Sequence, residues 1–219
     1  MSSSPTAFVV DDDPGVRKSL TWLLESVQVR VETFASGKDF LEALDPERAG
    51  CVVLDLRMPG WSGLDVYEKL TARGVTLPVI ILTGFGDVPV AVRALKSGVF
   101  DFLEKTVSQH QLLERIQAAM AKDVQDRRER VERDSIRRRL ESLTSRQREI
   151  LSLVASGETS KDIAARLVLS LSTVEGHRAS ILKKLQASGV ADLVRMVAAV
   201  DADRRGAAPG SPPAPKVAG

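Results

Sequence analysis

The sequence lacks the features typical of secreted, disulfide-bonded and membrane proteins. It has one cysteine in 219 residues, so no internal disulfide can form, and Cys51 lies in an apolar run that predicts a buried, reduced thiol. No apolar run approaches the ~18–20 residues that a membrane span needs. The opening residues, MSSSP, offer neither the basic nor the apolar segment of a signal peptide. We therefore expect a cytoplasmic protein that does not associate with membranes.

Aromatic residues are also scarce, at 4% of the chain, but 43% of the residues are hydrophobic, which fits a globular protein with two modest domains. The net charge of +2 hides an asymmetry. Residues 1–120 contain 12 Lys and Arg against 16 Asp and Glu, and residues 121–219 contain 19 against 13. An acidic half joined to a basic half predicts two different tasks, and a basic half is typical of nucleic-acid binding.

The first half of the chain alternates short β-rich runs with amphipathic helical patterns. Predicted strands are Phe8–Val10, Val29–Phe34, Cys51–Leu54, Val79–Leu82 and Phe100–Leu103, and predicted helices are Val16–Ser26, Lys38–Leu44, Leu64–Thr71, Val90–Lys96 and a last helix from about Gln109. Five β–α units predict an α/β fold, with a parallel sheet covered by helices on both faces. In such sheets the ligand site lies beyond the carboxyl ends of the strands.

Residues 122–140 are mostly charged, and acids stand four residues before bases at Asp123/Arg127, Asp126/Arg130, Glu129/Arg133 and Asp134/Arg138. This pattern predicts an exposed helical linker, because the few apolar residues do not keep the heptad of a coiled coil. An all-helical domain is predicted at 141–200. Three hydroxyls precede an acid or amide by three residues, as in capping boxes, at Thr144–Gln147, Thr159–Asp162 and Ser172–Glu175. The Ala-, Pro- and Gly-rich tail, 201–219, is expected to be disordered.

Polar side chains stand at the ends of four predicted strands. Asp11 and Asp12 follow the first strand, Asp55 the third, Thr83 the fourth and Lys105 the fifth. Carboxylates crowded together are costly unless something compensates them, and hard oxygen ligands of this kind suit Mg²⁺. A carboxylate can also act as a nucleophile toward phosphorus. The sequence therefore predicts a magnesium and phosphoryl site at this edge of the sheet.

The third acid of the DDD run, Asp13, has a different interpretation. It precedes Pro14, and proline is favoured at the first position of a helix, where aspartate is a good N-cap. We expect Asp13 to cap the first helix and to take no part in the chemistry.

Four motifs resemble the receiver domain of bacterial response regulators and occur in the same order. They are VVDDD (Val9–Asp13), VVLDLRMPGWSG (Val52–Gly63), ILTGFGD (Ile81–Asp87) and FLEK (Phe102–Lys105). The resemblance covers residues 6–121 and implies a flavodoxin-like sheet with strand order 2-1-3-4-5.

The resemblance implies that Asp55 accepts a phosphoryl group from a phosphohistidine on a sensor histidine kinase. It implies that Asp11, Asp12 and Asp55 bind Mg²⁺ together with the backbone carbonyl of Arg57. Of these, we expect Asp12 to bind the ion directly and Asp11 to act through water.

Three further roles follow from the same resemblance. Thr83 and Lys105 would contact the phosphoryl group, and Phe102 would be the aromatic residue that swings inward on activation. The family usually has proline after the lysine, whereas here Thr106 follows Lys105. A cis bond before a residue other than proline costs about 3 kcal/mol, so we expect a trans bond and an altered loop.

The segment LTSRQREILSLVASGETSKDIAARLVLSLSTVEGHRASILKKL (Leu143–Leu185) resembles the helix-turn-helix of LuxR, FixJ and NarL proteins. With the receiver, it resembles a response regulator of the FixJ subfamily over nearly the whole chain. The turn often has glycine where Val168 stands. Because a β-branched residue disfavours positive φ, we expect another turn geometry here.

A helix over Thr173–Leu185 would be about 20 Å long and would fit a major groove of double-stranded DNA. Glu175 would either accept a hydrogen bond from cytosine N4 or close a capping box on Ser172. Gly176 would either let the backbone approach DNA or be tolerated without purpose. The expected DNA-contacting residues are Thr173, Val174, Glu175, Gly176, His177, Arg178, Ala179, Lys183 and Lys184, although Val174 also belongs to the stripe expected to face the core.

The favoured function is a transcription factor in which phosphorylation of Asp55 promotes dimerisation and DNA binding. The family resemblance adds RNA polymerase as a partner, activation as the outcome, and at most slow self-dephosphorylation in place of enzymatic turnover. A phosphatase of the haloacid-dehalogenase type would use Asp11 as nucleophile and Asp13 as acid/base, but it would leave Asp55 without a role. A constitutive DNA-binding protein with a degenerate receiver is disfavoured by the complete acidic set.

Overall fold

The structure is a computed structural model that describes residues 4–84 and 88–206. The chain divides into two compact units, with the boundary between Arg127 and Arg128. The last three residues of the predicted ILTGFGD motif, 85–87, and residues 207–219 of the predicted tail lie outside the described residues.

The first unit contains a five-stranded parallel sheet in the order β2-β1-β3-β4-β5, which confirms the predicted fold. Its strands are β1 (Thr6–Val10), β2 (Arg30–Phe34), β3 (Gly50–Asp55), β4 (Val79–Thr83) and β5 (Asp101–Glu104). Its helices are α1 (Pro14–Ser26), α2 (Gly37–Ala43), α3 (Gly63–Ala72), α4 (Val88–Ser97) and α5 (Gln109–Glu141), the last of which continues past the unit boundary.

The sheet is buried on both faces. Side chains alternate along a strand, so Val52 and Leu54 of β3 join the core under α2, α3 and α4, whereas Cys51 and Val53 join the core under α1 and α5. Strands that are buried on both faces have nearly continuous apolar sequences, and this pattern made them predictable from the sequence. The Cys51 thiol is free and buried as predicted, and burial raises its pKa to about 12.

The second unit is helical and includes the end of α5. Its other helices are α6 (Ser145–Ala155), α7 (Ser160–Leu167), α8 (Leu171–Leu185) and α9 (Val190–Gly206). The core of this unit is aliphatic, around Ile150, Ile163 and Ile181. The six Phe, two Trp and one Tyr of the chain all lie at or before Phe102, so tryptophan fluorescence reports on the first unit alone.

Two of the three predicted capping boxes are present. The hydroxyls of Thr144 and Thr159 each accept the backbone N–H three residues ahead, and their own backbone N–H groups donate to the side chains of Gln147 and Asp162. The box at Ser172 is wrong, because Ser170 is the N-cap of α8 and its hydroxyl accepts from the Thr173 N–H at 3.1 Å. Helix α8 therefore begins two residues earlier than predicted.

The turn before α8 also differs from the expectation. Val168 adopts the left-handed conformation, with φ 54° and ψ 49°, although it is β-branched. The backbone geometry is fixed by its neighbour, since the Leu169 N–H donates to the Ala164 carbonyl at 2.9 Å and the Leu169 side chain packs on the core. These contacts outweigh the preference of Val168 itself, whose side chain is 91% exposed.

Two further expectations concern the backbone. No cis peptide bond occurs among the described residues, so the bond between Lys105 and Thr106 is trans as expected. Helix α9 extends to Gly206, so residues 201–206, which were assigned to the tail, are helical.

Asp123 makes a buried contact where the sequence predicted a surface pair. Its carboxylate, on α5, accepts the Gly50 N–H of β3 at 2.9 Å and pairs with Arg127 at 2.8 Å. Arg127 in turn donates to the carbonyls of Pro46, Glu47 and Arg48. A Cβ at Gly50 would lie 1.9 Å from the Thr6 carbonyl oxygen, so only glycine fits there.

We predict that Asp123→Ala lowers the free energy of unfolding of the first unit by about 3 kcal/mol, because it leaves a buried N–H and a partly buried guanidinium without their acceptor. Urea unfolding followed by tryptophan fluorescence measures this. Asp126→Ala is the matched control. It removes an exposed pair with Lys122 on the same helix and should cost at most about 0.5 kcal/mol. Equal losses in the two variants would contradict the assignment.

We predict that Val168→Gly raises the stability of the second unit by about 1 kcal/mol, because glycine adopts positive φ without the Cβ clash. Circular dichroism during urea unfolding of the whole chain reports this transition, and fluorescence identifies that of the first unit. Val194→Gly, at an exposed position inside α9, should have the opposite sign. A loss of stability in Val168→Gly would rule out strain at this turn.

Candidate functional site

The carboxyl ends of β1, β3, β4 and β5 gather the polar residues singled out from the sequence. Asp11 and Asp55 are buried, at 2% and 5% exposure, and Thr83 is fully buried, whereas Asp12 is exposed. Carboxylate oxygens of Asp11, Asp12 and Asp55 all lie within 4.8 Å of one another. The sheet order makes these strands neighbours, so the fold alone brings residues far apart in sequence to one edge.

Lys105 joins three strand ends through its ammonium group. Its Nζ lies 2.7 Å from Asp11 Oδ2 and 2.9 Å from Asp55 Oδ1. The Lys105 N–H also donates to the Thr83 carbonyl at 2.7 Å, which fixes the start of the loop after β5. One cation therefore compensates two buried carboxylates.

Backbone groups hold the carboxylates in place. The Asp13 N–H donates to Asp11 Oδ1 at 2.9 Å, and the Arg57 N–H donates to Asp55 Oδ2 at 3.1 Å. Gly63 packs closely below the site, where a Cβ would lie 2.5 Å from the Asp55 carbonyl oxygen. The carboxylate positions are thus set by the turns after β1 and β3.

Asp13 itself caps α1, as predicted. Its Oδ1 accepts the Gly15 N–H at 2.7 Å, and proline occupies the first turn. The sequence interpretation missed Arg17, whose guanidinium donates to the carbonyls of Asp11 and Asp12 at 2.7 and 2.9 Å. An arginine in the first turns of a helix gives no sequence signal for this role.

Burial raises the pKa of the Asp55 carboxyl above its ordinary value, and the hydrogen bond from Lys105 opposes that shift. Burial by itself would lower the pKa of the Lys105 ammonium, but hydrogen bonds to Asp11 and Asp55 outweigh it and raise that pKa. One ammonium thus faces two buried carboxylates, with a third carboxylate close by, and the site favours a further positive charge.

The donor set fits a divalent magnesium ion. Mg²⁺ prefers carboxylate and carbonyl oxygens and keeps several waters, and one of the three carboxylates, Asp12, faces solvent. The Lys105 side chain keeps 27% of its surface exposed, so its ammonium can also contact an anionic group that enters the site. Such an arrangement suits an anionic phosphoryl group held between a bound metal cation and the Lys105 ammonium.

Phe102 lies on β5, half-buried, and packs on the same core as Ile81. The β4–β5 register pairs Phe102 with Ile81, and Thr83 lies two residues further along β4. Because side chains two residues apart share a face of a sheet, Phe102 and Thr83 lie on the same side.

In the second unit, α8 presents most of the predicted DNA contacts to solvent. Thr173, Glu175, Gly176, Ala179 and Lys183 are exposed, and His177 and Arg178 are half-buried. Val174 is fully buried in the core, so its assignment as a DNA contact is wrong. The physical reason is that Val174 stands at the fourth helical position, on the inward stripe.

The structure also shows the surroundings of Lys184 and Glu175 on α8. Lys184 is exposed, but its ammonium donates to Gln147 Oε1 at 2.9 Å and to the Ser142 carbonyl at 3.2 Å, so it also joins helices within the unit. Glu175 has no capping box to close, because Ser170 is the N-cap. Of its two interpretations, the capping box is wrong and the contact with DNA stays a prediction.

Each of the two units matches a known protein family. Residues 7–117 match the response regulator receiver domain, and residues 141–197 match the bacterial regulatory proteins of the LuxR family. The transcriptional regulatory protein TdiR of Thauera aromatica is 43% identical over 195 residues, which cover 89% of this chain and 86% of TdiR. The transcriptional regulatory protein FixJ of Azorhizobium caulinodans is 40% identical over 196 residues, which cover 90% and 93%.

Among solved structures, the response regulator StyR has a TM-score of 0.81 and 40% identity, covering 90% of this chain and 99% of StyR. A receiver followed by a LuxR-type helix-turn-helix defines a response regulator that regulates transcription. The chain belongs to this family, and its homologues are FixJ-type transcriptional regulators. Within the described residues, no helix is both long and apolar enough to cross a membrane.

Gly176 allows a prediction, because an added Cβ there would have no neighbour within 4 Å. Gly176→Ala should raise the stability of the second unit by about 1 kcal/mol, since alanine is the better helix former. We expect the same change to weaken DNA binding, because the methyl group would lie on the exposed face of α8. Urea unfolding and fluorescence anisotropy with bound DNA measure the two effects. Unchanged affinity would mean that Gly176 does not approach DNA.

Proposed function

We propose that Asp55 accepts a phosphoryl group from the phosphohistidine of a sensor histidine kinase and that this step controls DNA binding by the second unit. A carboxylate oxygen of Asp55 attacks phosphorus, and the bond from phosphorus to the histidine nitrogen breaks. The electron pair of that bond stays with the imidazole, and the product is an acyl phosphate.

The observation that carries this proposal is the position of Asp55 relative to Lys105. One Asp55 oxygen lies 2.9 Å from the Lys105 ammonium, and the other accepts the Arg57 N–H. If Asp55 Oδ1 leaves its contact with Lys105, it can attack phosphorus. The Lys105 ammonium would then lie beside it, in position to contact the transferred phosphoryl group. Thr83, at the end of the neighbouring strand β4, would contact another phosphoryl oxygen.

Asp11, Asp12 and Asp55 would hold Mg²⁺ with the backbone carbonyl of Arg57, Asp12 directly and Asp11 through water. When bound, the ion would neutralise part of the charge on the phosphoryl group. Two further roles belong to the protein itself. Lys105 would contact the phosphoryl group, and the turn after β3 would orient Asp55. Hydrolysis of the acyl phosphate would be at most slow self-dephosphorylation, as the family resemblance implies.

The phosphoryl group would act on the second unit by way of Thr83 and Phe102. These residues share a face of the sheet, so movement of Thr83 toward the phosphoryl group would open space toward which Phe102 turns. Phosphorylation adds about −1.5 to −2 charge. The resulting change would favour a homodimer formed by α4 and β5, whose two helix-turn-helix units bind half-sites about one helical turn apart.

The proposed DNA contacts are Thr173, Glu175, Gly176, His177, Arg178, Ala179, Lys183 and Lys184 on α8. Arg178 and the two lysines would neutralise backbone phosphates, whereas Glu175 would accept from cytosine N4. Recruitment of RNA polymerase, transcriptional activation and action in the cytoplasm complete the proposal.

The test is incubation of the full chain with a small phosphodonor and Mg²⁺, followed by intact-mass measurement, sizing and DNA-affinity measurement. Wild-type protein should gain one phosphoryl group, form a dimer and bind DNA about 5- to 150-fold more tightly. Asp55→Asn should show none of these changes, and removal of Mg²⁺ with a chelator should prevent phosphorylation.

Asp13→Asn is the matched control, because Asp13 belongs to the same acidic run but only caps α1, and asparagine caps equally well. It should behave as wild type. Phosphorylation that persists in Asp55→Asn would refute the assignment of the acceptor. Phosphorylation that alters neither oligomeric state nor DNA affinity would refute the switch.

A further inference from the structure

Leu171 occupies the first position of the helix that is expected to enter DNA. The earlier start of α8 puts it there, since Ser170 is the N-cap. The N-terminal residues of a recognition helix are the ones that contact base edges. Leu171 is therefore in a position to reach bases, although no sequence pattern pointed to it.

Leu171 lies outside the hydrophobic core of the second unit. A helix start often uses an apolar residue before the cap and another at the fourth position, and Leu169 and Val174 supply these two. Both belong to or pack on the core of the unit. Leu171 is absent from that core and is 48% exposed.

The hydroxyl groups around Leu171 are already engaged with one another. Ser170 Oγ lies 2.7 Å from Thr173 Oγ1 and 3.0 Å from Ser172 Oγ, and it also accepts the Thr173 N–H. The hydroxyl groups of the first turn of α8 therefore have partners within the turn, although each keeps some hydrogen-bonding capacity. The prominent exposed side chain of this turn is aliphatic.

We propose that Leu171 is a specificity-determining residue that contacts the C5-methyl group of a thymine in the major groove. Thymine's methyl is the apolar group that a base edge presents there, so an aliphatic side chain at this position selects it. The inference rests on the proposed DNA contacts of α8 and adds a base preference to them.

The spacing along α8 places this thymine relative to a second base. Leu171 and Glu175 are four residues apart, on one face of the helix and about 6 Å apart along its axis. Successive base pairs are about 3.4 Å apart. The thymine read by Leu171 should lie within about two base pairs of the cytosine read by Glu175.

The experiment begins with selection of bound sites from random DNA by the full chain treated with phosphodonor and Mg²⁺. In the best site, each thymine is then replaced in turn by deoxyuridine, which removes only the methyl group. Wild-type protein should lose about fourfold in affinity at the thymine contacted by Leu171. Leu171→Ala should bind both forms of that position equally, and Leu171→Met should retain the preference.

Val194→Ala is the control, since it trims another exposed aliphatic residue of the same unit that lies outside α8. It should keep the wild-type methyl dependence. Methyl dependence that survives in Leu171→Ala, or that is absent from wild type, overturns the inference while leaving DNA binding intact. Normal DNA binding by Leu171→Ala with reduced transcription by added RNA polymerase would assign Leu171 to a protein contact instead. Failure of the wild-type chain to select any sequence would overturn the proposed DNA contacts as well.

Discussion

The Lys105 ammonium lies between two carboxylates that would otherwise be buried without compensation, and the geometry of the first unit's site depends on this contact. Asp11 and Asp55 come from β1 and β3, and Lys105 follows β5, so a single cation holds three strand ends at fixed separations. Desolvating two acids side by side is unfavourable by several kcal/mol for each ion without such a partner. The compensation of negative charge is incomplete, because one ammonium faces two carboxylates and the third acid, Asp12, faces solvent. A site that is short of positive charge is suited to a divalent ion, and an ammonium already held in place is suited to an incoming phosphoryl group.

The opposite end of β3 is held by a different buried charge. Gly50 begins the strand, and its N–H is bound by Asp123 of α5, which Arg127 then connects to the loop before β3. The strand that ends in Asp55 is therefore fixed at both ends by ionic contacts. The hydrogen bonds of the buried carboxylate add a directional constraint to the non-directional packing of the aliphatic core. Asp123 thus defines where α5 lies on the first unit, independently of the chemistry at Asp55.

The fold and the acidic site were predictable because they depend on local patterns. Buried parallel strands produce short apolar runs, and the polar residues after them converge once the strand order is known. Asp123 could not be predicted in its role, because it shares its spacing to a base with the surface pair at Glu129 and Arg133. Only packing against Gly50 distinguishes the two. Val168 was mispredicted for a related reason, because its own preference is overruled by neighbours that are fixed by the core.

The second unit shows how a shift of two residues changes a functional interpretation. Placing the cap at Ser170 frees Glu175 from capping and puts Leu171 at the start of the helix. Val174 lies on the buried stripe, as its position in the inward-facing pattern predicted, and it cannot reach DNA. The exposed surface of α8 combines apolar residues, at Leu171, Gly176 and Ala179, with polar residues at Thr173, Glu175 and Lys183. If this face enters DNA as proposed, its apolar residues would contribute to sequence preference through shape and methyl contacts, and Glu175 through a hydrogen bond.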